Sequence, residues 1–73
     1  MKYNFTAIIE KEEDMYVSLC PELDIASQGS TVEEAKKNLE EVISLFFEHA
    51  SEEEIKERLI EKEIYISPVE IKI

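Results

Sequence analysis

Residues 20–35 read CPELDIASQGSTVEEA, and this run decides how the rest of the chain is arranged. It holds the only glycine (Gly29), the only cysteine (Cys20) and one of the two prolines (Pro21). Pro21 has no N–H to give to a ladder, so it ends the strand that precedes it. "PELD" is then a loop, and "IASQG" has the length of a short strand. Gly29 is expected to supply the positive φ that a sharp strand-to-helix turn uses. Ser30 and Thr31 both suit a helix N-cap, with Glu33 and Glu34 three residues on, so either pair can form a capping box.

Working outward, "KYNFTAIIEK" (2–11) places Tyr3, Phe5, Ala7 and Ile9 on one side, and Asn4, Thr6 and Glu10 on the other. Ile8 is the exception to this half-buried strand pattern. "MYVSLC" (15–20) alternates Met15, Val17 and Leu19 with Tyr16, Ser18 and Cys20. The polar "EKEED" between them makes an antiparallel hairpin. Downstream, Val32, Ala35, Leu39, Val42, Ile43, Phe46, Phe47 and Ala50 repeat with the period of one long amphipathic helix. Ser51 with Glu54 repeats the capping pattern and starts a shorter helix, "SEEEIKERLIEK" (51–62). "EIYISPVEIKI" (63–73) reads as a last strand whose apolar parity switches at Ser67–Pro68. It is expected to return to the sheet beside the first or third strand, or to pair with another chain through its edge. Tyr65, Ile66, Val69 and Ile71 are the candidate oligomer edge. The fold class is α+β: one domain, 1–73, with a mainly antiparallel sheet in the order β-β-β-α-(α)-β and one face covered by the long helix.

The chain has 73 residues, 18 Asp+Glu against 8 Lys+Arg, and a formal net charge of −10. A chain of about 70–80 residues often needs a staple beyond its own core. A lone cysteine excludes an internal disulfide, and Cys20 with His49 falls short of a structural zinc set. Self-association, as a dimer or larger, is the remaining supplement. The acidic balance disfavours direct nucleic-acid binding, which rests on Lys/Arg neutralising phosphates, and favours a basic protein partner. No apolar run approaches a membrane span, and the N-terminus lacks a signal-peptide pattern. With an unpaired cysteine, these features point to the cytoplasm.

Chemistry is hard to place. His49 lies at the far end of the long helix from Gly29, so the spacing does not require it to meet Cys20. Glu10, Glu12, Glu13 and Asp14 crowd the first turn, and Glu22 and Asp24 flank Leu23, without matching a calcium-loop pattern. A P-loop, a G-x-G-x-x-G and an H-E-x-x-H are all missing from the sequence. No enzyme, cofactor or metal site is expected. The six acids are candidate partner-binding residues.

Residues 15–48 resemble the N-terminal domain of HicB-like antitoxins. The resemblance rests on Tyr16, Val17, Pro21, Leu23, Gln28, Gly29, Thr31, Glu33, Glu34 and Ala35, in a pattern of Y-V, Pro, acidic-Leu loop, Q-G and T-x-E-E-A. It implies a partial RNase H-like fold of β-β-β-α-β order. It also implies binding and inhibition of a small basic HicA-type mRNA interferase, in dimers or tetramers. Two departures stand out. Asp24-Ile25 replaces a Pro-Gly-type turn common in the family, and no helix-turn-helix or ribbon-helix-helix segment precedes Ile73, so autorepression by DNA binding is not expected. RNase H-type catalysis would need convergent carboxylates holding two metals, and the first strand offers only Glu10. A stand-alone homo-oligomeric scaffold or regulatory module of the same fold is the alternative.

Overall fold

The structure, a computed structural model, describes residues 3–60 and 62–73. Lys2 and Glu61, read as parts of the first strand and second helix, lie outside them. Three strands, β1 (Ile8–Glu12), β2 (Met15–Cys20) and β3 (Ile25–Gly29), form one antiparallel sheet in sequence order. The helices α1 (Val32–His49) and α2 (Glu52–Leu59) follow. The α+β class and the β-β-β-α-α order agree with the sequence reading.

The register explains where β1 begins. Ile8 pairs with Leu19 and Glu12 with Met15, so continuing the ladder would set Thr6 opposite Pro21, which cannot donate. The expected strand from residue 2 is therefore shortened to Ile8–Glu12. The Thr6 amide instead donates to both carboxylate oxygens of Glu22, at 3.0 and 3.1 Å. Glu13–Asp14 close the hairpin, with Glu13 at φ 54°, the position where two-residue turns favour glycine.

Gly29 departs from expectation. It has no positive φ; among the described residues the left-handed ones are Glu13 and Asp24. Its role is close approach: a Cβ there would stand 2.5 Å from the Ala35 backbone nitrogen and 2.8 Å from the Glu34 carbonyl carbon. Thr31 is the N-cap, its hydroxyl accepting from the Glu34 amide at 3.0 Å. The Glu34 carboxylate reaches back to the Ser30 amide at 3.0 Å, so Thr31 and Glu34 win over Ser30 and Glu33.

Small residues let α1 lie close on the sheet. Buried Ser18 donates its hydroxyl to the Ala35 carbonyl at 2.8 Å, and Asn38 ties α1 to the Gln28 carbonyl at 2.8 Å. Cys20, Leu23 and Leu39 form the sealed centre, with Phe5, Ile25, Ile43, Phe46, Phe47 and Leu59 packed around it. Val32 and Val42, expected on the packed face, are exposed at its margins. Arg58 fastens α2 by donating to the Leu23 carbonyl at 2.6 Å, with its guanidinium 5.2 Å from the Phe46 ring centre.

The expected closing strand does not form within the single chain: residues 62–73 carry no strand and every one is exposed. A strand exists only through a partner's hydrogen bonds, and among the described residues no backbone bond joins this segment to the sheet. Its side-chain bonds to the rest of the chain reduce to Lys62 Nζ on the Pro21 carbonyl at 3.5 Å. The radius of gyration is 14.2 Å, against about 11 Å for a compact chain of this length.

Candidate partner-binding surface

Strand pairing assigns each side chain to a face. Tyr16, Ser18 and Cys20 turn toward α1, as do Ile9, Ile25, Ser27 and Gly29 across the ladder. The other face has no helix on it. There Ile8 sits opposite Leu19, Glu10 opposite Val17 and Glu12 opposite Met15, while β3 adds Gln28 beside Val17. Ile8, Met15 and Leu19 are exposed and Val17 is half-buried. Glu12, Glu13, Met15, Val17 and Gln28 line one shallow depression. An apolar strip thus runs across the bare face, with carboxylates along one side.

The six candidate acids fall in three places. Glu10, Glu12, Glu13 and Asp14 are exposed along β1 and its hairpin turn, with Glu10 and Glu12 on the bare face. Asp24 lies at the opposite end of the sheet, exposed, with φ 56°. Glu22 is separate in kind. Its carboxylate accepts the Thr6 amide and, at 2.6 Å, the Thr6 hydroxyl, and the Cys20 Sγ donates to it at 3.5 Å. Burial opposes its ionisation, but the Thr6 hydrogen bonds prevail and hold its carboxyl below the usual range. Glu22 is an internal anchor for the N-terminal segment.

Burial, helped by the Glu22 carboxylate, pushes the Cys20 thiol up, so thiolate chemistry is suppressed there. His49 is exposed at the end of α1. Among the described residues, no group of three His, Cys, Asp or Glu side chains is placed to share a metal ion. No helix among them is long and apolar enough to cross a membrane. Tyr65, Ile66, Val69 and Ile71 all stand in the exposed C-terminal segment.

The bare-face residues Ile8, Met15, Val17, Leu19 and Gln28 were not selected from the sequence. The signal was present: Ile8 breaks the first strand's alternation, and both parities of β2 contain apolar side chains. Residues of the Y-V…Q-G-x-T-x-E-E-A pattern sort in an informative way. Leu23, Gly29, Thr31, Glu34 and Ala35 each have a structural task in the sheet–helix seam, and Pro21 follows the end of β2. Val17 and Gln28, paired across β2 and β3, face outward instead.

These features define a small two-layer α+β domain with one helical layer and one open sheet face. The chain belongs to the UPF0150 protein family. It is 38% identical to a Helicobacter pylori UPF0150 protein over 66 residues, 89% of this chain and 90% of the relative. It is 46% identical to UPF0150 protein ssl0738 of Synechocystis over 55 residues, 73% of this chain and 76% of that one. The match to UPF0150 protein ssr1765 of the same organism is 48% identical over 48 residues, 63% of this chain and 61% of the relative's own length. No family model and no solved structure matches the chain.

Proposed function

We propose that this chain is a HicB-like antitoxin domain that binds and neutralises a small basic HicA-type ribonuclease through the bare face of its sheet. The observation that carries the reading is the apolar strip of Ile8, Met15, Val17 and Leu19 beside Glu10, Glu12 and Glu13. An apolar centre with a charged rim is how protein interfaces are built. The net charge of −10 selects a basic partner and speeds encounter with it. The resemblance of residues 15–48 to HicB-like antitoxins supplies the partner class. Inhibition is steric: the acidic hairpin end draws the ribonuclease in, and the apolar strip holds it. The chain itself performs no catalysis in this reading.

Co-expression with a short basic reading frame encoded beside the gene tests the reading. A stable complex that restores growth is expected. No complex and no rescue overturns it for that partner. A second reading, a homo-oligomeric scaffold without a toxin, is favoured by one observation, the exposed apolar segment 62–73.

A further inference from the structure

The segment Ile64–Ile73 presents an unusual surface. Tyr65, Val69 and Ile71 are 83%, 78% and 71% exposed, and Ile64, Ile66 and Ile73 join them. The whole chain exposes 6294 Å² at a mass of 8.5 kDa. A compact protein of that mass exposes about 4,700 Å². The excess of about 1,600 Å² is roughly twice what each partner contributes to a standard-size interface, about 800 Å². Small apolar side chains scattered singly need no cover, but a continuous extended run of them does.

A complementary vacancy lies elsewhere on the same chain. Beyond β1, a groove runs between Tyr3–Ala7 and one flank of α1, lined by Tyr3, Phe5, Lys36, Ile43 and Ser44. Its floor is the stack of Tyr3, Phe5 and Phe47, with ring centres 5.5–5.8 Å apart. β1 is an edge strand of the sheet. Tyr3–Glu12, along that edge, is ten residues long, and so is Ile64–Ile73. An edge strand with an apolar groove under it is a template for strand addition. Pro68, lacking an N–H, suits the outer side of such an added strand.

We propose that the occupant is a second copy of this chain: Ile64–Ile73 of each protomer adds as a fourth strand along the β1 edge of its partner. Its apolar side chains enter the groove beside Phe5 and Ile43. The exchange is reciprocal, so the dimer has two-fold symmetry and both grooves are filled. Among the described residues the segment makes no backbone hydrogen bond to its own sheet and touches the rest of the chain through Lys62 Nζ on the Pro21 carbonyl, so its apolar side chains stay uncovered within one chain. This arrangement leaves the bare sheet face free, and it stands whether or not a toxin partner exists.

The test is the mass of the full chain in solution by light scattering at about 50 µM, with two variants. One carries Val69→Asp and Ile71→Asp; the other carries Ser44→Arg in the groove, at an exposed position. The wild type is expected at twice the chain mass, and each variant alone at one chain mass with an unchanged far-ultraviolet spectrum. Each variant weakens the dimer at least tenfold. An equimolar mixture regains a dimer, because one intact segment then meets one intact groove. A monomeric wild type, a segment variant that stays dimeric, or a mixture that stays monomeric would each overturn the proposal.

Discussion

On the helix side of β2, Ser18 and Cys20 are fully buried, while one residue along the strand Leu19 and Met15 stand exposed on the other side. The less apolar parity is the one inside. Hydrophobicity alone would have chosen Met15, Val17 and Leu19. What decides is clearance: α1 lies close enough for the Ser18 hydroxyl to reach the Ala35 carbonyl and for Gly29 to tolerate no Cβ. The helix side is therefore a seam of small residues sealed by Leu23 and Leu39. The larger apolar side chains are left on the bare outer face.

That contrast can be broken first at Leu39, 1% exposed at the centre of the sealed side. Leu39→Ala is expected to cost about 3 kcal/mol by denaturant unfolding, a large share of the total for a domain this small. Leu19→Ala, on the bare side, is expected to cost under about 1 kcal/mol. Equal losses at the two positions would erase the distinction. Next in size, Gly29→Ala drives a methyl into the α1 backbone and should cost about 2 kcal/mol. A neutral result would mean that the seam has room to spare.

Smaller still is Glu22→Gln, expected to cost about 1 kcal/mol at pH 7 through its weaker hold on Thr6. The sign with pH follows from the depressed carboxyl of the folded state. Its contribution is fully present above the unfolded value, about 4.3, and is lost as pH falls through the lower folded value. The gap between wild type and Glu22→Gln should therefore close on acidification below about pH 4.3. A gap that persists at pH 2–3 would show that the carboxylate charge is not what anchors Thr6.

Much of the architecture was legible from local rules. The hairpin, the break at Pro21, a helix cap at Ser30 or Thr31 and the period of α1 each follow from a few neighbouring residues. What was not legible depends on distance in the fold. Nothing near Gly29 tells that its task is clearance for Ala35 and not positive φ. The first strand's early end follows from a pairing register that sets Thr6 opposite Pro21. The last strand was readable as a sequence pattern, yet a pattern cannot say where its partner is. Glu22 was grouped with the other loop acids because its partner, Thr6, is 16 residues away. Four of the six acids, Glu10, Glu12, Glu13 and Asp14, do cluster, but the apolar strip beside them emerges only once the faces are assigned.

The division of labour between the two faces is tested most directly by Leu19→Asp. The measurement is the affinity for the small basic ribonuclease proposed as partner, taken alongside the thermal midpoint. A loss of at least tenfold in affinity with a midpoint shift of no more than about 4 °C is the expected result. Unchanged affinity with the fold intact would contradict the account, because the bare face would then not be where the partner binds.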